Sequence, residues 1–214
     1  MDSITPNHDP ERLSNEDLLS QYAELLAGFT RKHNLISPNT VPEIKQRHIE
    51  HCLMLAAKSF PAGSRVVDWG TGGGLPAIPL AIRFPDVQFT AIDAVEKKIL
   101  AVRAMVRKLG LVNLDTWHGR AEEWTGWAHF SVSRATAPLE TLWSWHHRVA
   151  ESMQASPPES WRPGLICLKG GRLDEEIATL KASFPSVEVT LTPLAAHYAS
   201  KFFEEKYIVE MCKI

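Results

Sequence analysis

Val66–Pro76, with the sequence VVDWGTGGGLP, is the stretch that decides the fold of this chain. Its apolar start predicts a buried strand, and prolines at 76 and 79 predict the first turn of a helix. The glycines between them let the backbone take positive φ values and approach a ligand that any Cβ would exclude. The stretch therefore predicts a strand, a ligand-binding glycine loop and a helix.

Beyond this stretch, short strand-like segments alternate with helical ones. Predicted strands cover 65–68, 88–93, 114–118, 130–133, 164–168, 187–191 and 207–211, and predicted helices cover 75–83, 96–109, 139–149 and 173–183. Strands separated by helices form βαβ crossovers, which give a mainly parallel, Rossmann-like α/β sheet of seven strands. Because only a loop separates the last two strands, we expect them to form a hairpin at an antiparallel edge.

The first 62 residues have a helical pattern. Ser14 and Asp17 resemble a capping box, and an apolar face follows at helical spacing. Thr40 and Glu43 repeat the capping pattern, with Pro42 in the predicted first turn. We therefore predict an N-terminal helical extension over 1–62 and a single α/β domain over 63–214.

Composition limits the class of protein. The chain has 214 residues, of which 23 are basic and 25 acidic, giving a net charge of −2. This charge excludes a protein that coats nucleic acid but leaves room for a local basic surface, such as the strip Lys97, Lys98, Arg103, Arg107 and Lys108. That strip is either a solvated helix face or a surface that faces phosphates.

The sequence predicts a cytoplasmic protein. Its start is neither basic nor apolar, which excludes a signal peptide, and no apolar run is long enough to cross a membrane. The three cysteines, Cys52, Cys167 and Cys212, are far apart and form no Cys-x-x-Cys pair. We therefore expect reduced thiols rather than disulfides or a zinc ribbon.

A second acidic residue favours a ligand that contains adenosine. Asp93 ends the next predicted strand, 19 positions after Gly74, where a carboxylate accepts hydrogen bonds from both ribose hydroxyls. A Gly-x-Gly-x-x-Ala spacing at 72–77 also matches a relaxed NAD fingerprint. Asp68, however, would repel a pyrophosphate and attract the ammonium and sulfonium of S-adenosylmethionine. The Asp-x-Gly-x-Gly-x-Gly pattern at 68–74 is typical of class I methyltransferases, so we favour a methyltransferase over a dehydrogenase.

The remaining motifs restrict the methyl acceptor. Ser133-Arg134-Ala135 stands where methylases of exocyclic amines usually carry an Asn/Asp-Pro-Pro-aromatic tetrapeptide. Cys167 lies in an apolar strand and is better suited to a core than to nucleophilic attack on a pyrimidine. An acceptor with a free lone pair, such as guanine N7, needs only alignment with the methyl group and charged side chains that stabilise the reacting groups. Arg134 and Lys169, at the carboxyl ends of strands, are the candidates for these charged side chains.

Six short motifs together point to one family. They are Asn34-Leu35, Arg47-His48-Ile49, Asp68–Leu80, Gly119-Arg120-Ala121-Glu122, Ser133-Arg134-Ala135 and Leu168-Lys169-Gly170. This set resembles the bacterial small-subunit ribosomal RNA guanine-N7 methyltransferases, also called the glucose-inhibited division protein B family, from about Leu25 to Lys169. The glycine loop alone is shared by many methyltransferases. Its Gly-Leu-Pro continuation, the Ser-Arg-Ala motif and the Arg-His pair are specific in combination.

The resemblance implies a class I methyltransferase fold and methyl transfer from S-adenosylmethionine to N7 of one guanine in 16S ribosomal RNA. It implies that the cofactor is bound by Gly70, Gly72, Gly74, Asp93, Ala121 and Glu122, with Asp68 near its methionine end. It places on the RNA side Arg134, Lys169, Arg47, His48 and Asn34, of which Arg134 and Lys169 are the candidate catalytic groups. The implied partner is the small ribosomal subunit or one of its assembly intermediates.

The chain departs from the family pattern at three places. Ala77 stands where the family usually has glycine, Glu50-His51 where it has Asp-Ser, and Trp69 where it has a small or aliphatic residue. None of these changes removes a group that methyl transfer needs. They bear on the position of the substrate and on the shape of the cofactor pocket.

Other interpretations remain open at this stage. His48, His51 and Cys52 share a helical face, but three loosely spaced groups are weak evidence for zinc, and we predict no metal site. Leu139, Leu142, Trp143 and Trp145 are better suited to a core than to a base-stacking platform. Alternative functions are methylation of a small molecule or a protein with the same cofactor, and NAD-dependent oxidation.

Overall fold

Seven strands form one sheet in the computed structural model, which describes residues 13–134, 136–153, 157–196 and 200–213. They are β1 (Arg65–Trp69), β2 (Gln88–Asp93), β3 (Leu114–His118), β4 (Phe130–Arg134), β5 (Gly164–Gly170), β6 (Val187–Pro193) and β7 (Lys206–Lys213). Their order across the sheet is β3–β2–β1–β4–β5–β7–β6. The first five strands are parallel, whereas β7 is antiparallel to both β5 and β6. The predicted topology and the antiparallel hairpin are confirmed.

Helices cover both faces of the sheet. They are α1 (Asn15–His33), α2 (His51–Leu53), α3 (Ala77–Arg83), α4 (Glu96–Lys108), α5 (Leu139–Val149) and α6 (Asp174–Ser183). Side chains alternate across β1, so that Val66 joins a core with α1, α3 and α4, and Val67 joins one with α5 and α6. This alternation follows from the two-residue period of a strand. None of the helices described is long and apolar enough to cross a membrane.

The first helix begins as the sequence predicts. The Ser14 hydroxyl accepts the Asp17 amide at 3.2 Å, and the Asp17 carboxylate accepts the Ser14 amide at 3.3 Å. These are the two bonds of a capping box. The apolar face of α1 packs on α3 and α4, so the helical extension lies directly against the domain.

The second predicted helix is different in the structure. Pro38–Glu43 forms a 3₁₀ segment, Lys45–Glu50 a π-helix, and α2 and a short 3₁₀ turn follow. Thr40 lies inside the first segment and does not cap a helix. Its hydroxyl instead donates to the Ser37 carbonyl at 2.7 Å. A π-helix holds an extra residue per turn, which changes the buried face expected from an ideal 3.6-residue period.

Candidate active site

A cavity of about 460 Å³ opens at the carboxyl edge of the parallel strands. The glycine loop after β1, the end of β2, the loop after β3 and the end of β4 surround it. Its lining includes Gly70, Thr71, Gly72, Gly73, Asp93, Lys98, Ala121, Glu122, Arg134, Thr136 and Trp145. Ligands bind at this edge in open α/β sheets because the strand order reverses there, between β1 and β4. Five of the predicted cofactor residues and Arg134 therefore share one cavity.

The glycines of the loop have different roles. Gly70 has φ +71°, and a Cβ at this position would overlap the Thr136 side chain. Gly74 has φ +91° and is not part of the lining, and a Cβ there would lie 2.5 Å from Ile78 Cδ1. Gly70 thus shapes the cavity wall, while Gly74 lets the loop turn closely against α3.

The glycine loop is held from behind by the N-terminal extension. The buried Tyr22 hydroxyl donates to the Gly73 carbonyl at 2.9 Å. A Cβ on Gly73 would lie 2.8 Å from Leu26 Cδ1 and 3.3 Å from Leu35 Cβ. Leu35 also lines the cavity. The roles of Tyr22 and Leu26 could not be predicted from the sequence, because hydrophobic spacing shows only that these side chains face inward and not what they contact.

Asp93 occupies the position expected for a carboxylate that binds ribose. Its Oδ2 accepts the Gly72 amide at 2.9 Å, and its Oδ1 accepts the Val95 amide at 2.9 Å. The Lys98 ammonium lies 3.9 Å from Oδ2. Each carboxylate oxygen has a further lone pair, so the group is held in place and still able to accept hydroxyls. The arrangement is suited to an adenosine ligand.

Asp68 lies behind the glycine loop and outside the cavity lining. Its side chain is fully buried and does not line the cavity, and its Oδ2 accepts the Ala77 amide at 3.1 Å. Burial raises the pKa of Asp68 to about 7, against the opposing effects of Thr71, Ala77 and Arg134. Asp68 therefore anchors the start of α3. Its expected place near the methionine end of the cofactor stays a prediction.

The loop after β3 forms the opposite wall. The Ala121 carbonyl accepts Arg148 Nη2 at 2.6 Å, and the Trp124 carbonyl accepts Arg148 Nη1 at 2.7 Å. Arg148 therefore fixes this loop to α5. The exposed side chain of Glu122 lies at the wall, where it is free to meet a ligand.

The tryptophans divide between core and cavity. Trp69 is fully buried and packs against Trp124 and Trp145, with ring centres 5.6 and 6.0 Å away. Its bulk therefore lies beneath the cavity and does not narrow it. Trp143 is in the core, as predicted. Trp145 differs, because it is partly exposed and lines the cavity.

Arg134 is held by a chain of hydrogen bonds that reaches the N-terminal extension. Its Nη1 lies 2.9 Å from His48 Nδ1, and His48 Nε2 lies 2.8 Å from Thr40 Oγ1. Burial, followed by Arg134 and Arg47, lowers the pKa of His48 to about 4. Because arginine only donates, the neutral His48 accepts at Nδ1 and donates from Nε2 to Thr40, which donates to Ser37. The direction of every bond in this chain is fixed.

Lys169 is placed differently from Arg134. Its side chain is 9% exposed and does not line the cavity. The ammonium lies 2.7 Å from Glu176 Oε2 and donates to the Ala137 carbonyl at 2.9 Å, while the same Glu176 oxygen accepts the Leu139 amide. Lys169 thus supports the chain between β4 and α5, and a direct catalytic role for it stays a prediction.

The two remaining RNA-side candidates lie outside the cavity lining. Asn34 ends α1 with φ 50° and ψ 51°, a left-handed conformation that asparagine tolerates better than most residues. Arg47 pairs with Glu43 at 2.8 Å, and its guanidinium lies 5.2 Å from the Phe202 ring centre. His51, where the family has serine, packs edge-on against Phe202 and Phe203.

The structure also bears on the chemistry that the sequence disfavoured. Cys167 is fully buried, and burial raises the pKa of its thiol to about 12. A thiol in this state is not a nucleophile. Within the described ranges, no three His, Cys, Asp or Glu side chains are grouped so as to hold a metal ion.

Comparison with solved structures identifies the fold. Magnesium protoporphyrin IX methyltransferase from Synechocystis superposes with a TM-score of 0.61 at 14% identity, covering 95% of this chain and 99% of that one. Fibrillarin from Aeropyrum pernix, in complex with S-adenosyl-L-methionine, superposes with a TM-score of 0.53 at 13% identity, covering 76% of this chain and 73% of that one. Both carry the class I methyltransferase fold, and the predicted fold class is confirmed.

Comparison with known sequences identifies the family. Ribosomal RNA small subunit methyltransferase G of Salinibacter ruber is 52% identical over 194 residues, 89% of each chain. The protein of that name in Chlorobium limicola is 41% identical, over 92% of this chain and 87% of its own. Residues 15–197 match the family described as rRNA small subunit methyltransferase G (GidB). The chain therefore belongs to the rRNA small subunit methyltransferase G family, whose members use S-adenosylmethionine.

Proposed function

We propose that this chain transfers a methyl group from S-adenosylmethionine to N7 of one guanine in 16S ribosomal RNA. The supporting observation is the cavity itself, in which the glycine loop and Asp93 face Arg134 across one opening. Family membership supports ribosomal RNA as the substrate, and guanine N7 is an acceptor that suits the groups at the site. We place the reaction in the cytoplasm, on the small ribosomal subunit or an assembly intermediate.

The cavity suits the cofactor. Asp93 would accept the ribose hydroxyls, Gly70 and Gly72 would allow close approach of the methionine portion, and Ala121 and Glu122 would border the adenine. When bound, S-adenosylmethionine would supply a methyl group on a sulfonium sulfur, whose bond to the methyl carbon breaks as the acceptor lone pair attacks in line, so that S-adenosylhomocysteine leaves. Lys98, 3.9 Å from Asp93 Oδ2, places a positive charge beside the carboxylate that would accept the ribose hydroxyls.

Guanine N7 suits the groups at the acceptor side. Its lone pair lies in the plane of the base, so methylation removes no proton and needs no general base. What the chain must supply is position, since alignment of the reacting atoms lowers the barrier by several kcal/mol. Arg134, fixed by His48 at 2.9 Å, would donate to O6 on the same edge of the guanine and leave the N7 lone pair free to attack.

The decisive experiment compares 16S ribosomal RNA from a strain with the gene and a strain without it. Borohydride reduction followed by aniline cleaves the RNA chain at N7-methylguanine. We expect one cleavage site to disappear in the deletion strain and to return when the gene is restored. Persistence of every cleavage site without the gene would refute the N7 assignment. Methylation of proteins or small molecules alone would support the alternative substrates.

Arg134→Ala tests the assignment of roles within the site. We expect this variant to bind S-adenosylmethionine with near-normal affinity in calorimetry and to lose methyl transfer to small subunits from the deletion strain. Arg65→Ala is a suitable control, because Arg65 begins β1 at the end of the strand away from the cavity, and its exposed side chain packs over the Trp127 ring. Equal loss of cofactor binding and transfer in Arg134→Ala would assign Arg134 to the cofactor or to the fold.

A further inference from the structure

A second group of basic side chains lies beside Arg134, around the ring of Phe202. The Lys206 ammonium is 4.2 Å from the centre of this ring, and the Arg47 guanidinium carbon is 5.2 Å from it. Both separations are in the range of cation–π contacts. One aromatic side chain therefore positions two cations that come from distant parts of the sequence.

The sheet places Lys206 at the same edge as Arg134. Arg134, the last residue of β4, pairs with Leu168 of β5, which pairs with Ile208 of β7. Lys206 pairs with Gly170, at the carboxyl end of β5. Because β7 runs antiparallel to β5, its first residue lies at the same edge of the sheet as the last residues of the parallel strands. Only β5 lies between β4 and β7, so the backbones of these two strands are roughly 10 Å apart at this edge.

The positive charge of this group is poorly neutralised. In the part of the chain that the structure describes, neither Arg134 nor Lys206 has a carboxylate within ion-pair distance. Arg47 pairs with Glu43, but both side chains are well exposed, at 38% and 46%, and such pairs are weak. Burial, Arg134 and Arg47 together lower the pKa of Lys206. Cations held this close together favour a bound anion.

We propose that Arg47, Arg134 and Lys206 bind a backbone phosphate of the RNA next to the guanine that is methylated. This inference rests on the function proposed above. Of the three residues only Arg134 lines the cofactor cavity, so the anion would lie on the rim, where the RNA backbone must pass if a base enters the cavity. Guanidinium and ammonium groups together give the charge-assisted hydrogen bonds by which proteins bind phosphate.

Lys206→Gln tests this site, with Lys213→Gln as the matched control. Lys213 ends the same strand, and it pairs with the first residue of β6 at the opposite edge of the sheet. With undermethylated small subunits as the probe, we expect Lys206→Gln to weaken RNA binding roughly tenfold. The slope of log affinity against log salt should fall by about 0.7 to 0.9, the loss of one phosphate contact. Lys213→Gln should change neither quantity.

Kinetics separate this role from a purely structural one. Lys206→Gln should raise KM for the subunit more than it lowers kcat, and it should leave S-adenosylmethionine affinity unchanged. Lys206→Arg should restore most of the binding, and Arg47→Gln, on a different element, should act in the same direction as Lys206→Gln. Suppose that the wild-type enzyme is active and that Lys206→Gln matches Lys213→Gln in RNA affinity and salt slope. This result would overturn the proposed phosphate site and leave the proposed function standing. A wild-type enzyme that cannot methylate the subunit would overturn the proposed function.

Discussion

At the scale of single residues, the most informative side chain is His48. The family resemblance places it on the RNA side, and in the structure it is 9% exposed and bonds to Arg134 and Thr40. Its position indicates that it orients the Arg134 guanidinium. An arginine has several rotatable bonds, and an acceptor fixed at 2.9 Å lowers the entropy that is lost when substrate binds.

We predict that His48→Ala lowers kcat for methyl transfer roughly tenfold or more, because the guanidinium of Arg134 is no longer held in position. S-adenosylmethionine affinity should change little. His48→Gln retains a side-chain acceptor and should recover part of the rate. If His48→Ala lowers kcat, cofactor affinity and unfolding free energy together, the role of His48 is structural.

His146 offers a prediction about pH. It is buried and bonds to Ser131 at 2.8 Å, and burial lowers its pKa to about 3. Below pH 6.5 the unfolded chain gains a proton at this residue while the folded chain does not, so stability falls as pH falls. His146→Gln should reduce the slope of unfolding free energy against pH, between pH 6 and 4, by about 1.4 kcal/mol per unit. The measurement is urea unfolding at several pH values.

His147 is the control for this experiment, because it lies on the same helix with its side chain exposed. His147→Gln should leave the slope as it is in the wild type. Asp68, which titrates in the opposite sense, is present in all three proteins and cancels in the comparison. An unchanged slope in His146→Gln would show that the imidazole is protonated in the folded protein.

At the scale of elements, α1 is a support for the glycine loop as well as a cover for the sheet. We predict that Tyr22→Phe lowers the unfolding free energy by about 1–3 kcal/mol, since the buried Gly73 carbonyl loses its partner. Cofactor binding should weaken in parallel, because the loop forms the cavity wall. Tyr207→Phe is the control, as the structure gives its hydroxyl no hydrogen bond with the residues described. Equal unfolding free energies for Tyr22→Phe and Tyr207→Phe would contradict the proposal that the Tyr22 hydroxyl supports the glycine loop.

The helices and strands could be predicted well from the sequence, whereas the contacts between them could be predicted only poorly. Glycines, strand ends and the Ser14 capping box are local signals, so β1, Asp93 and α1 could be predicted from short stretches. The π-helix over Lys45–Glu50 could not, because hydrophobic spacing assumes a period of 3.6 residues. Lys206 was missed for a topological reason. The carboxyl ends of the parallel strands mark the ligand edge, and an antiparallel strand reaches that edge with its amino end.

At the scale of the whole molecule, the boundary that we predicted near residue 62 does not separate two cores. Tyr22, Leu26 and Leu35 belong to the same buried cluster as β1, α3 and α4. We therefore propose that the helical extension is an integral part of the domain. The sequence suggested a boundary because the pattern changes from helical to alternating there, and a change of pattern does not reveal how segments pack.

We predict that residues 63–214 alone do not form a stable fold, because removal of the extension exposes the apolar surface of α3 and α4 and frees the glycine loop. Circular dichroism and thermal unfolding would show the absence of a cooperative transition, and calorimetry would show no binding of S-adenosylmethionine. The full chain, prepared in parallel, is the control. A fragment that unfolds cooperatively and binds the cofactor would make the extension a separable domain.

The position of β7 has a consequence for how the protein is made. Since β7 lies between β5 and β6, β6 is synthesised before the strand that joins it to the sheet. Without residues 206–213 the sheet would end at β5, whose residues 164–168 are all buried in the finished protein. Such edges pair readily with other chains. Residues 206–213 close this edge and bring Lys206 to the catalytic face, so protection from aggregation and completion of the RNA-binding surface depend on the same strand.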